Sequence, residues 1–304
     1  MTVSVLQLDW QPLPVPACQL GESPFWHPDE QALYWLDIPG RALHRWQPEG
    51  AIHRRWDLPT EPGCIAPLPG GPLLMARRDG LFRFDPATGT AERLAAPPYE
   101  PATERFNDGK ADAAGRLWVS TIYEPRDKPA AALYRWDGAT LERLLGGLTI
   151  GNGLAFSRDG HTVLTADTPT HEVMAHTLDV GTDKLVAPRS FHRFTPKVKG
   201  AALDGYGGRP DGAAMDVDGL YWVAMMEGQR LACLGPDGEE RASVPLPVRC
   251  PTMPCFGGAD GRTLFVTTAC IGRAAEELAA QPWAGQVLMA RAPVAGLPVN
   301  FARG

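Results

Sequence analysis

The chain has 304 residues and a formal net charge of −6, with acidic and basic residues mixed along its length. No basic stripe can neutralise a phosphate backbone, which excludes nucleic acid as an expected partner. No apolar stretch reaches the roughly 18 residues of a membrane helix, and the start Met1-Thr2-Val3-Ser4-Val5-Leu6-Gln7 lacks a basic n-region and a long apolar run, so the expectation is a cytoplasmic protein without membrane contact.

In chain order, residues 3–8 read as a strand placed to complete the last unit of a closed fold. Six copies of one pattern follow, each a polar turn leading into a short β-rich run. They are His27-Pro28-Asp29-Glu30 before Ala32–Leu36, Pro69-Gly70-Gly71-Pro72 before Leu73–Ala76, and Asp112-Ala113-Ala114-Gly115 before Leu117–Ser120. Then come Ser157-Arg158-Asp159-Gly160 before Thr162–Thr165, Asp216-Val217-Asp218-Gly219 before Leu220–Val223, and Gly258-Ala259-Asp260-Gly261 before Thr263–Val266. The copies start 42, 43, 45, 59 and 42 residues apart. A period of about 40–50 residues with several strands per unit is that of a propeller blade. The fold class expected is therefore all-β: a single six-bladed β-propeller domain over 1–304, closed by the N-terminal strand, with a central metal site.

The long interval marks an insertion near residues 183–208. Runs such as Gly80–Asp85, Ala132–Asp137 and Gln286–Ala290 read as third strands, and the best helical stretch is Ala274–Ala280. Trp26, Trp35, Trp118, Trp136 and Trp222 fall at blade-core positions. The seven histidines have no shared metal spacing and read as surface or turn residues. The six cysteines contain no Cys-x-x-Cys pair and are expected to be reduced thiols, mostly in the core. No Gly-x-Ser-x-Gly element points to a serine hydrolase.

In a propeller, the innermost strand of each blade lines the channel just before the repeated turn. Counting five residues back from each turn gives Glu22, Cys64, Asn107, Asn152, Asp211 and Met253. Four carry a side-chain oxygen. Two carboxylates converging in a partly desolvated channel end repel unless a cation sits between them. All-oxygen ligation suits Ca²⁺, Mg²⁺ or Mn²⁺, with Zn²⁺ and Fe²⁺ left open, and few protein ligands leave positions free for catalysis.

At these residues the sequence resembles the family of gluconolactonase, senescence marker protein 30 (regucalcin) and related sugar lactonases. The likeness rests on Gly21-Glu22-Ser23-Pro24-Phe25-Trp26 with Leu36-Asp37-Ile38, on Arg105-Phe106-Asn107-Asp108-Gly109-Lys110, on Gly151-Asn152-Gly153-Leu154, and on Pro210-Asp211-Gly212 with Trp222-Val223-Ala224. The resemblance implies one divalent metal ion held by Glu22, Asn152 and Asp211. It also implies substrate contacts from Arg105 and Asn107, and Asp211 as catalytic base in hydrolysis of a sugar lactone to the open-chain aldonic acid. Mammalian members carry two successive glutamates where this chain has Glu124-Pro125, leaving Glu124 as the candidate substrate contact, and residues 123–129 resemble the family's lid. The expected partner is a small-molecule sugar lactone, and the expected state a monomer or weak homo-oligomer. Alternatives are a calcium-binding regulatory protein without turnover, or a related propeller hydrolase acting on a non-sugar ester or lactone.

Overall fold

The computed structural model describes residues 3–179 and 181–304. Six antiparallel sheets, each of four strands radiating outward, form the blades of a propeller. The inner strands are Gly21–His27, Pro62–Pro67, Glu104–Ala111, Gly151–Phe156, Arg209–Met215 and Pro251–Gly257. Most of their residues are buried, because neighbouring blades cover both faces, and they read as continuous runs without polar alternation. Outer strands such as Ile52–Asp57 and Thr90–Ala95 are largely exposed and charged.

The repeated turn has a structural function in the third and fifth blades. Asp112 Oδ1 accepts the backbone N–H groups of Ala114 and Arg116, and its Oδ2 accepts the Trp118 indole N–H at 2.8 Å. Asp216 does the same for Asp218, Leu220 and Trp222. One carboxylate thus closes the turn and satisfies the only polar atom of a fully buried indole six residues on.

The N-terminal reading needs one correction. Ser4–Val5, within the run expected to complete the last blade, instead adds a parallel fifth strand to the fifth blade, and it is Gln11–Pro12 that supplies the outer strand of the sixth. Trp10, buried between them, anchors this crossing through its indole N–H to the Pro245 carbonyl at 2.8 Å. At the other end, residues 297–303 cross the floor of the channel. Leu297 N–H donates to Met215, Asn300 Nδ2 to Ala111, and the Ala302 and Arg303 amides to Pro67 and Gly115. Above this floor lies a small, largely apolar chamber lined by residues including Phe25, Met253, Phe256 and Leu297.

The histidines depart from expectation. His27, His44, His171 and His176 are buried, and desolvation holds each below its ordinary range. His44 and His53 lie side by side against Trp35, their rings near-parallel to its plane, with His44 Nδ1 3.0 Å from His53 Nε2. A neutral imidazole packs as a flat ring, and short strands flanked by tryptophans offer it that environment. The helix is Ala275–Ala280, and all six cysteines are free, five of them buried. The 183–208 insertion forms the long strand Lys184–Arg193 and the loop that follows it.

Candidate active site

Each inner strand carries a register shift at the ring position: between Glu22 and Phe25, Pro62 and Cys64, Phe106 and Gly109, Asn152 and Ala155, Pro210 and Ala213, and Pro251 and Met253. A bulge frees a residue from the ladder and re-aims its side chain. The backbone conformation shows the cost. Ser23, after Glu22, sits at φ 49°, and its counterpart Gly153, after Asn152, at φ 65°. A Cβ on Gly153 would also stand 2.5 Å from the Tyr221 hydroxyl, so glycine is required there on two counts.

The polar ring is wired together on its third, fourth and fifth blades. Asn107 Nδ2 donates to Asn152 Oδ1 at 3.0 Å and to the Gly151 carbonyl at 2.9 Å. Asn107 Oδ1 accepts from Arg105 Nη1 at 2.9 Å. Asn152 Nδ2 donates to Thr168 Oγ1 at 2.8 Å, and that hydroxyl donates to the Pro210 carbonyl, next to Asp211, at 2.8 Å. Thr168 therefore fixes the Asn152 amide, leaving its oxygen as the group available to a ligand.

Glu22 and Asp211 are both buried, and Asp211 stands close enough to raise the proton affinity of Glu22. Burial, then Asp211 and Asp108, hold the Glu22 carboxyl well above the usual carboxylate range. Burial, then Asp108, push Asp211 up to about 7, against the opposing pull of Arg209 and Arg105. Asp108 is itself raised by burial. Its Oδ2 accepts the Leu154 N–H at 2.9 Å while its Oδ1 is buried without a well-aligned partner. Lys110, partly buried below and donating to the Ala213 carbonyl, is lowered by desolvation.

Three carboxylates crowd one end of the channel with a buried carboxylate oxygen to spare, and such a donor set fits a hard cation. Among the described residues no three His, Cys, Asp or Glu side chains form a metal-holding group by themselves. A cation held here would need oxygen ligands besides these carboxylates, and the Asn152 amide oxygen stands in the same ring.

Above this ring, two residues before each ring position, lies a second tier: Leu20, Pro62, Arg105, Ile150, Arg209 and Pro251. Arg105 is largely buried, bonded to Asn107 and to the Phe106 carbonyl, with its Nε 3.6 Å from Glu124. Glu124 is half-exposed and held by both terminal nitrogens of Arg78 at 2.9 Å each; Arg78 also binds Glu61. These partners lower the Glu124 carboxyl, so it stays ionised. The structure thus brings Glu22, Arg105, Asn107, Glu124, Asn152 and Asp211 to one channel end. Sequence reasoning missed Thr168, Asp108 and Lys110. The last two stand inside the quoted motif, and their position after a ring residue was the available signal; Thr168 gave none.

A closed six-bladed propeller with a polar, carboxylate-bearing site at one channel mouth and a sealed floor defines the class of this protein. Residues 20–270 match the family model described as SMP-30/gluconolactonase/LRE-like region, and the chain belongs to that family. It is 40% identical over 282 residues to a 6-deoxy-6-sulfogluconolactonase of Pseudomonas putida, covering 91% of this chain and 92% of that protein. An L-arabinolactonase of Azospirillum brasilense is 34% identical, with coverage of 91% and 90%. The solved structure of a calcium-binding protein, regucalcin, from Agrobacterium tumefaciens superposes with a TM-score of 0.92 at 26% identity, covering both chains fully.

Proposed function

We propose that the protein hydrolyses a sugar lactone to the open-chain aldonic acid with the help of one divalent cation. The observation that carries this reading is the coincidence of Glu22, Asn152 and Asp211 with Arg105 and Asn107 at one mouth of a channel closed at its other end. The names of the lactonase relatives support the same chemistry.

Glu22, Asn152 and Asp211 would hold the cation, whose positive charge, when bound, stabilises the negative charge that develops on the lactone carbonyl oxygen. The chain's own residues do the rest. Arg105, fixed by Asn107, the Phe106 carbonyl and Glu124, presents its remaining N–H groups in a planar fork suited to sugar oxygens. Asn107 holds Arg105 and Asn152 in register, so ring oxygen and hydroxyls meet donors set before the substrate arrives. Asp211 accepts a proton from the water as it adds to the carbonyl carbon, and when the bond from that carbon to the ring oxygen breaks, the alkoxide takes the proton back from Asp211.

The test is acid release from a panel of aldonolactones, followed with a pH indicator after chelation and after Ca²⁺, Mg²⁺, Mn²⁺, Zn²⁺ or Fe²⁺ is restored singly. Chelation is expected to abolish turnover above the spontaneous rate and at least one ion to restore it; full turnover in chelator would remove the cation from the reading. A calcium-binding role without turnover is the second reading, favoured by the likeness to the calcium-binding regucalcin of Agrobacterium tumefaciens. It predicts ion binding with no acid release from any lactone.

A further inference from the structure

The second tier of the channel mouth contains two arginines, one held by several hydrogen bonds and an ion pair, the other by a single longer ion pair. Arg105 stands two residues before Asn107, and Arg209 two residues before Asp211, at the equivalent position two blades on. Both arginines lie near enough to Asp211 to pull its carboxyl down, so both face the same channel mouth, with the fourth blade between them. Arg105 is tied down by its hydrogen bonds and by Glu124. Arg209 is different. Its side chain is 32% exposed, and its nearest anionic contact is Glu227 Oε2 at 3.5 Å.

Charge around Arg209 is unbalanced. Glu227, only 9% exposed, receives Lys197 at 2.9 Å, Arg273 at 3.3 Å and Arg209 at 3.5 Å. Arg273 has Glu277 as a second partner. One buried carboxylate cannot neutralise both Lys197 and Arg209, the two more exposed cations of the group. On the third-blade side Arg41, Arg78 and Arg105 likewise share Glu61 and Glu124, but there the two arginines at the mouth, Arg78 and Arg105, are each held by several hydrogen bonds, and Arg209 is held by none of that kind among the described residues. Positive charge is thus in excess beside the fifth blade, in a chain whose net charge is −6.

The 195–208 loop is built to bring Lys197 there. The Lys197 N–H donates to His171 Nε2 at 3.3 Å, and that nitrogen also lies 2.6 Å from the Tyr206 hydroxyl, pinning both ends of the loop against the rim. This is the insertion that lengthens the fourth repeat interval.

We propose that Arg209, assisted by Lys197, binds an anionic group on the lactone at the end remote from the reacting carbonyl, so that the enzyme prefers lactones of charged sugar acids over neutral aldonolactones. The inference rests on the lactonase reading and adds the substrate class. The guanidinium has five N–H donors, and a sulfonate, a phosphate or a carboxylate can take two of them at once.

The experiment compares D-glucono-1,5-lactone with its 6-phospho and 6-deoxy-6-sulfo counterparts and with a glucaric acid lactone, using the ion-loaded enzyme. A charge-assisted hydrogen bond of this kind is worth about tenfold or more in kcat/KM, so that preference for at least one charged lactone is expected. Arg209→Met is expected to bring the charged-to-neutral ratio near one, and Arg209→Lys to restore part of it as a point charge. Calorimetric titration gives a second readout. The product 6-phosphogluconate should bind more tightly than gluconate to the parent protein and no more tightly to Arg209→Met. Hydrolysis of the neutral lactone with no preference for any charged one, or a preference intact in Arg209→Met, overturns the inference while leaving lactone hydrolysis standing. Failure to hydrolyse any of the lactones overturns both.

Discussion

Replacing Asp211 by Asn removes one of three buried carboxylates and should separate stability from activity in a pH-dependent way. In the ion-free protein, Asp211 is raised from 3.8 to about 7, chiefly by burial and then by Asp108. Below about pH 4 the carboxyl is protonated folded or unfolded and costs nothing. Between about 4 and 7 the unfolded chain ionises first, so stability falls as pH rises, and above 7 the loss is complete. Raising a carboxyl from 3.8 to about 7 corresponds to roughly 4 kcal/mol, an upper bound because water entering the channel mouth screens the charge. In chelator at pH 8, Asp211→Asn should therefore unfold at a temperature higher by on the order of 5–10 °C. At pH 4 the difference should vanish. Adding a saturating divalent ion should reverse the order, since the parent protein gains binding free energy that the variant has largely lost. Scanning calorimetry at both pH values, with and without ion, reads all four conditions. A variant no more stable than the parent at pH 8 in chelator, or one with an undiminished response to the ion, would refute the picture of mutually repelling carboxylates around a cation.

Two other changes probe the frame around the site. Thr168→Val keeps the shape but strips Asn152 of its acceptor and the Pro210 carbonyl of its donor, at a cost of about 1–3 kcal/mol. Ion affinity measured by calorimetric titration should fall with it, and an unchanged affinity would mean the Asn152 oxygen is not a ligand. Deleting residues 1–12 removes Trp10 from its pocket and bares the edge of Leu288–Arg291, which Gln11–Pro12 covers. Loss of the buried indole alone costs about 3–5 kcal/mol, and the unpaired edge invites association, so lower thermal stability and larger species in size-exclusion chromatography are expected.

The register of the repeat made much of this legible in advance. Counting back from each turn located Glu22, Asn107, Asn152 and Asp211 at one level, and the arginine two places before Asn107 came with its motif. The arginine two places before Asp211 stood in the same register, yet nothing in the sequence distinguished it from a surface ion pair. What set it apart was the count of partners: Glu124 and Asn107 around Arg105 against a shared, overcommitted Glu227 beside Arg209. His44 and His176 were misread as surface residues because a strand sequence does not state which face the next blade covers.

The amino-acid order by itself determined the number of blades and the height of the polar ring, because turns and strands are local and a fixed period carries one geometry from blade to blade. It did not determine which N-terminal residues close the ring, how the tail at 297–303 seals the floor, or how Thr168 orients Asn152. Those depend on pairs of residues up to hundreds of positions apart, whose approach is fixed only when the ring closes. The excess charge at the mouth arises in the same way, from cations on separate strands and loops gathered around a single buried carboxylate.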